Sequence, residues 1–170
     1  MQNDEQRARR IVAQLTAGLP SQVVQAVIEV AERVGWAVSD RASLRPATIS
    51  RTVTVTAGQT QPETWRPGTP FVGSLISGRV FLDDAADDST MVELRFEVPS
   101  QAGYLLGDQD ENFNASLLCE VSSWIPLLKP WVLFPVEEAR MTVIGSASLA
   151  GSAVFSLGLM GCWLHGFGGA

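Results

Sequence analysis

Residues 113–164 hold most of the continuous apolar sequence in this chain of 170 residues. Inside this stretch, residues 124–135 carry a proline every four or five positions. A proline has no backbone N–H donor, so these residues cannot form the interior of a helix or a central strand. We predict instead that they cross the end of a β-sandwich, with their apolar side chains against its core.

Residues 141–164 contain no charged side chain, and they allow two interpretations. In the first, residues 141–144 begin a strand, residues 149–152 reverse the chain, and residues 153–164 return as a long strand. In the second, the 24 residues form a helix that spans a membrane, for which about 20 apolar residues are enough. We favour the strands, because glycine and serine keep the mean hydropathy modest and the reversal leaves two pieces of strand length.

Alternation with a period of two predicts several strands before this stretch. The clearest covers residues 92–98, where apolar and charged residues alternate, as in a strand with one buried and one solvated face. Residues 49–56 alternate in the same way, with threonine on one face. Residues 71–82 and 113–121 are further predicted strands, whereas residues 58–70 are rich in proline and glycine and predict a loop.

Helical spacing of apolar residues predicts two amphipathic helices, at residues 4–17 and 21–36. The second helix carries a stripe of valines three or four residues apart: Val23, Val27, Val30 and Val34. Two short helices cannot bury such a stripe alone, so it must pack on the body of the protein, on a neighbouring copy or on another protein. We assign the stripe to an interface with a partner.

These elements divide the chain into three regions, and a polar linker at residues 39–46 joins the first region to the second. Residues 1–38 form a helical arm, residues 47–165 form the body, and residues 166–170 form a flexible tail. The predicted fold class is mainly β: an antiparallel, jelly-roll-like β-sandwich preceded by a pair of α-helices.

Charge is distributed unevenly along the chain. Residues 1–51 carry seven arginines and five acidic residues, residues 52–140 carry thirteen acidic and five basic residues, and residues 141–170 carry no formal charge. An acidic body argues against binding to nucleic acid, which depends on cations that neutralise phosphates. The small positive excess in the arm is typical of a solvated helix surface.

Two acidic loops raise the possibility of a Ca²⁺ site, because clustered oxygens are the ligands that this ion prefers. Residues 83–89 contain four aspartates. Residues 108–112 place Asp108, Asp110 and Asn112 as the first three ligands of an EF-hand would be placed, but the glycine and glutamate required later in that motif are absent. We therefore favour solvated loops in both places.

A catalytic constellation is not evident in the sequence. His165 is the only histidine, so neither a histidine-based nucleophile nor a site with several histidines can be built. Cys119 and Cys162 lie in apolar surroundings without a CxxC motif, which favours buried thiols over a zinc site and leaves a single disulfide open. We expect a chain that is not an enzyme and that needs no cofactor or metal.

The second half of the chain resembles small auxiliary head or tail structural proteins of tailed bacteriophages, which have a jelly-roll-like β-domain. The resemblance covers residues 71–164. It rests on the alternating strand 92–98, on the sequence Trp-Ile-Pro-Leu-Leu-Lys-Pro-Trp-Val-Leu-Phe-Pro at 124–135, and on the final pair of strands that ends at Gly161.

This resemblance implies a multimeric virion component, made in the cytoplasm of a bacterial host. It would act as a decoration, spike or connector protein that binds other virion proteins, with the helical arm as its tether to the shell. A trimer is the expected oligomer, because β-sandwich virion proteins often close around a threefold axis.

Two alternatives remain open beside the virion component. One is a membrane-anchored protein held by residues 141–164. The other is a soluble β-domain that binds a small ligand or sugar through Trp65, Trp124 and Trp131 as surface contacts. For Trp65, a role as a cover over the core is favoured over a contact with a partner.

Overall fold

The structure, a computed structural model, describes residues 2–99, 103–106, 111–119 and 124–168. In these parts of the chain, two N-terminal helices precede nine strands, and a single helical turn lies between the sixth strand and the seventh. The bounds are α1 Gln2–Leu15, α2 Ser21–Arg33, β1 Val38–Val55, β2 Thr60–Trp65, β3 Phe71–Leu82, β4 Val92–Val98, β5 Gly103–Leu106, β6 Phe113–Asn114, α3 Ser116–Cys119, β7 Ile125–Leu133, β8 Ala139–Gly145 and β9 Ala153–Phe167.

The strands form two antiparallel sheets. The first has the order β1-β9-β3-β7, and the second has the order β2-β8-β4-β5, with the short β6 paired to β4. Counted without β6, this is the strand order of an eight-stranded jelly roll, in which two Greek keys interlock. The described residues confirm the predicted fold class, a mainly β, jelly-roll-like sandwich with a pair of helices at its N-terminal end.

Alternation along the strands places the main core between the two sheets. In β4, the apolar residues at every second position of 92–98 are buried, and the charged residues between them are half-buried. Phe96 of this strand stacks on Trp131 of the first sheet, with 4.4 Å between the ring centroids, and meets the edge of Trp65 at 5.4 Å. Burial of one large aromatic side chain contributes roughly 1.5–3 kcal/mol, so this trio joins the sheets strongly.

A second apolar cluster lies beneath the helices, on the other side of the first sheet. Val27 and Val30 of α2 are fully buried there together with Val72, Val132 and Leu164 of β3, β7 and β9. Because strands of the first sheet supply apolar side chains to both clusters, this sheet is covered on one face by the second sheet and on part of the other face by the helices.

Two strands occupy segments that the sequence predicts as linker and loop, and both of those predictions are wrong. Residues 39–46 belong to β1, and residues 60–65 form β2. Each of these strands lies at the edge of its sheet. An edge strand tolerates prolines such as Pro46 and Pro62 and exposes polar side chains. The proline and polar residues of these segments are therefore explained by their place at the edges of the sheets.

The predicted crossing at residues 124–135 is also wrong, because most of this segment forms β7 at the other edge of the first sheet. Its prolines are accommodated because an edge strand has a partner strand on one side only, so a missing backbone N–H on the other side breaks no hydrogen bond. The prediction of a strand at residues 113–121 is correct only for β6, which is followed by the helical turn α3. Residues 120–123 lie outside the described residues.

The uncharged stretch 141–164 forms most of β8, a turn and most of β9, as the first interpretation predicts. Among the described residues, no helix combines the length and the apolar character that crossing a membrane requires. β9 continues to Phe167, which is buried in the cluster beneath the helices. The backbone N–H of Gly168 donates a 2.9 Å hydrogen bond to the carbonyl of Ala37, so the first residues of the predicted flexible tail are held against the end of the helical arm.

Candidate binding surfaces

Titratable side chains in the described residues do not form a cluster of three or more histidines, cysteines or acidic residues that could hold a metal ion. His165 lies in β9 opposite Ser43 of the edge strand β1. Cys119 and Cys162 are both half-buried, whereas the sequence predicts buried thiols. Desolvation by burial raises the pKa of the Cys162 thiol, which keeps it in the less nucleophilic protonated form.

The acidic loop at residues 83–89 uses its carboxylates to hold turns together. Asp87 is buried, and it accepts hydrogen bonds of 2.8 and 3.0 Å from the backbone N–H groups of Ala150 and Gly151 in the turn before β9. Asp88 accepts a 2.8 Å hydrogen bond from the backbone N–H of Thr90, and its hydrogen bonds to Thr90 lower its pKa. The sequence pattern shows the cluster of acids but not the distant turn that one of them anchors.

The second acidic loop, residues 108–112, lies mostly outside the described residues, and Asp108 and Asp110 of its EF-hand-like pattern are among those outside. Asn112 is described, and its side-chain amide donates a 2.6 Å hydrogen bond to the Glu93 carboxylate on β4. That contact joins the end of this loop to β4, an inner strand of the second sheet.

The three tryptophans predicted as surface contacts have different surroundings. Trp131 is only 4% exposed and stacks on Phe96, so it belongs to the core and is not available as a surface contact. Trp65 is half-buried and packs on the same core, with the Arg51 guanidinium 4.8 Å from its ring centroid. It therefore acts as the cover that the sequence favoured. Trp124 is half-buried directly before β7 and borders an open groove.

The valine stripe predicted as a partner interface is buried within its own chain instead. Val27 and Val30 are fully buried, and Val23 and Val34 are partly buried against the same cluster. The outer side of β3, β7 and β9 provides the apolar surface that the stripe requires, so no second protein is needed to cover it. Helical spacing revealed that the stripe would be buried but could not reveal against what.

The most exposed apolar surface lies at the β7 edge, which the sequence did not single out. Pro126 of β7 pairs with Leu75 of β3, and Trp131 pairs with Gly73, so β7 has four residues between these pairs where β3 has one. These four, residues 127–130, form the β7 ridge. At its tip the side chain of Leu128 is 96% exposed. The signal for it in the sequence is a pair of prolines, Pro126 and Pro130, on either side of an apolar segment.

A groove with a volume of about 550 Å³ runs beside this ridge, and we call it the β7 groove. Its walls are mainly apolar and include Phe113, Leu117, Ile125 and Leu127, and Glu29 of α2 lies at its border. Leu117, on the turn of α3, is 55% exposed. Single exposed leucines are ordinary, but here two of them border one concave surface, which is typical of a contact site.

A second groove, of about 630 Å³, lies on the outer face of the first sheet. Trp124 forms one wall, and hydroxyl-bearing residues of three strands form much of the floor: Thr48, Ser50, Ser77 and Ser156. The indole ring lies close over Gly158, because a Cβ placed at that glycine would stand 2.8 Å from a ring carbon. The glycine thus makes room for the aromatic wall.

No family model matches this sequence. No curated protein matches it either. Among solved structures, the chain is similar to "a family two carbohydrate esterase from Cellvibrio japonicus", with 15% identity and a TM-score of 0.26. The similarity covers 69% of this chain and 35% of the esterase chain, so this chain spans about a third of the length of that protein. A TM-score this low does not establish a shared fold.

Proposed function

We propose that this chain is a structural, non-enzymatic component of a bacteriophage or phage-like particle. It would act by forming homo-oligomers and by docking on capsid or connector proteins, as a decoration, spike or head-tail auxiliary protein. The observation that supports a role in assembly is the β7 edge, where an exposed apolar ridge lies next to an apolar groove. Such a surface on a compact β-sandwich favours contacts with other proteins.

The contact surface is therefore assigned mainly to the body, and the helical arm contributes only Glu29 at its border. The arm buries its valines on the first sheet, and the ion pair between Arg33 and Glu137 fastens α2 to the body. Most residues of α1 and many of α2 are exposed, and the exposed side chains are mainly charged or polar. The outward surface of the arm is therefore polar. In this proposal the arm stabilises the sandwich, and the β7 edge makes the contacts with neighbouring proteins.

The presence of the chain in particles can be tested directly by mass spectrometry of particles purified on a density gradient from a lysate of the source culture. Its peptides are expected in the particle band, in constant proportion to those of the major capsid protein, after a high-salt wash. The matched control is an abundant host cytoplasmic protein, which the wash should remove. Recovery of the chain only from the soluble fraction, outside the band, would contradict the proposal.

A second candidate function is binding of a saccharide in the groove beside Trp124. An aromatic ring next to several hydroxyl groups can stack on the apolar face of a sugar ring while the hydroxyls bond its edges. Trp124 borders the groove and Trp131 is buried, so binding should change the fluorescence of the wild type but not of a Trp124→Ala variant. Equal responses of the two proteins would exclude this groove as the site.

A further inference from the structure

The β7 edge presents a projecting element and a receiving element side by side. Leu128 at the tip of the ridge is almost fully exposed, and Leu127 of the same ridge forms part of the wall of the β7 groove. We propose that a second copy of this chain occupies the groove, with the ridge of each copy inserted in the groove of the other. This inference rests on the proposed oligomerisation and specifies the surface and symmetry that produce it.

Sheet extension is not available to this edge, so the contact has to be made by side chains. Pro126 and Pro130 lack N–H donors, and the extra residues between them displace the strand from regular pairing. Prolines, bulges and lysines are common means by which edge strands avoid joining the edge strand of another molecule. The exposed leucine at this edge is therefore buried by packing into a groove, and not by backbone hydrogen bonds to another strand.

Charge complementarity favours a second copy as the occupant. Lys129, next to Leu128 on the ridge, is exposed and lines the β7 groove together with Glu29 of α2. Neither forms an ion pair with another residue in the described parts of the chain. When the ridge of one copy enters the groove of another, the ammonium group and the carboxylate come together at the border of the apolar contact, as in the polar rim of protein interfaces.

The adjacency of ridge and groove points to a twofold axis. In an isologous contact the same patch serves both copies, so a projection and its receptor must lie next to each other on one surface. A ring of three needs two separate patches that face different neighbours. The shared wall of the ridge and groove fits the first arrangement, which gives a dimer where the phage resemblance implies a trimer.

Size-exclusion chromatography with light scattering provides the first test. The wild-type chain should have twice the monomer mass of 18.3 kDa, and Leu128→Asp should raise the dissociation constant at least a hundredfold, because each dimer loses two buried leucines. The matched control is Val136→Asp: Val136 is 84% exposed but lies outside the groove, so this variant should remain dimeric. Circular dichroism verifies that both variants are folded.

The possible outcomes separate this inference from the proposed oligomerisation. A wild-type monomer at all concentrations would overturn both. A stable oligomer that Leu128→Asp leaves intact would overturn only the β7 contact, and a trimer would overturn the twofold arrangement. Equal dissociation of the Leu128→Asp and Val136→Asp variants would also overturn the contact, since added charge alone would then explain the effect.

A charge exchange tests whether the polar contact joins two different chains. Glu29→Lys and Lys129→Glu should each weaken self-association about tenfold, because each places like charges together at two points of the dimer. An equimolar mixture of the two variants should form heterodimers of near wild-type affinity, because both charge pairs are then opposite. If mixing restores nothing, the two residues do not face each other across the interface, and the proposed pairing is wrong.

The lysine also allows a direct chemical test, since Lys129 is the only lysine in the chain. A carbodiimide, which joins an amine to a carboxylate without a spacer, should yield a covalent dimer with an isopeptide bond between Lys129 and Glu29 of different copies. Water is lost overall, and the carbodiimide takes up its atoms as the urea. Lys129→Arg keeps the charge but should abolish the cross-link while the protein stays dimeric. An undiminished covalent dimer in that variant would contradict the proposed pairing, because an amine other than that of Lys129 would then form the cross-link.

Discussion

Arg33 on α2 forms an ion pair with Glu137, in the turn between β7 and β8, with 2.6 Å between nitrogen and oxygen. The carboxylate is buried, whereas the guanidinium is partly exposed and lies 3.9 Å from the ring centroid of Phe134. One arginine thus fastens the N-terminal helices to the body through both a charge and an aromatic ring.

Replacement of this arginine should loosen the helices. Arg33→Ala is expected to lower the free energy of unfolding by about 2 kcal/mol, less than for a fully buried pair because Arg33 is partly exposed. The change can be measured by urea denaturation. Arg10→Ala, at an exposed position of α1, is the matched control and should have an effect below about 0.5 kcal/mol. Similar losses in the two variants would mean that the pair adds nothing to stability.

The stacked pair of Trp131 and Phe96 joins the two sheets at the centre of the core. Trp131→Ala should lower the free energy of unfolding by about 3–5 kcal/mol, because it leaves a cavity where a large ring was packed. Val136→Ala removes an apolar side chain from an exposed site outside the β7 groove and should cost less than about 0.5 kcal/mol. Denaturant unfolding distinguishes the two variants; a loss below about 1 kcal/mol for Trp131→Ala would refute this description of the core.

Gly161 of β9 lies where two strands approach unusually closely. A Cβ at this position would stand 1.9 Å from the carbonyl oxygen of Val72 on β3, so Gly161→Ala must displace backbone. A loss of about 2 kcal/mol or more is expected. Gly68→Ala is the matched control, since nothing lies within 4 Å of a Cβ there. Thermal unfolding of the two variants gives the comparison, and equal melting temperatures would be inconsistent with the close approach.

Asp87 holds the turn before β9 through two backbone N–H groups, those of Ala150 and Gly151. Asp87→Ala removes both acceptors and should cost about 1–3 kcal/mol. Asp84→Ala, in the same loop, removes one acceptor for the exposed Ala86 and should cost less. If the two aspartates prove equally important in chemical denaturation, the long-range anchor is not the reason that Asp87 is buried.

Strands with a clear alternation were predictable from the sequence. β3 and β4 cover the predicted residues 71–82 and 92–98. In β4 one face lies against the core, and its side chains alternate accordingly. The turn and the two strands at the C-terminal end were predictable for a similar reason, since glycine and serine interrupt an otherwise apolar stretch. In all these cases the information is local to the strand.

Edge strands were not predictable in the same way. β2 and β7 contain prolines, and the first half of β1 is polar, so each looks like a loop when its neighbours are unknown. Only the sheet order shows that these strands lie at edges, where missing donors and polar side chains are tolerated. Edge strands are therefore identified by which strands they pair with, and not by their own residues.

The candidate contact surface illustrates the same limit. The valine stripe of α2 was recognisable as a surface that must be covered, but the partner proved to be the outer side of the first sheet. The β7 ridge became recognisable only from its register with β3, which places four residues opposite one. Its leucine and lysine have no special spacing in the sequence that would distinguish them from a buried apolar segment.

The position of β9 between β1 and β3 determines when the protein can fold during synthesis. The helices and the first strands leave the ribosome early, but β9, which joins β1 to the rest of the first sheet, is made after all the other strands of the two sheets. Until then, β1 has no partner in that sheet, and the surface that α2 covers is incomplete. Folding of the first sheet therefore waits for the synthesis of β9, and a nascent chain that stalls before β9 would expose apolar strands to aggregation.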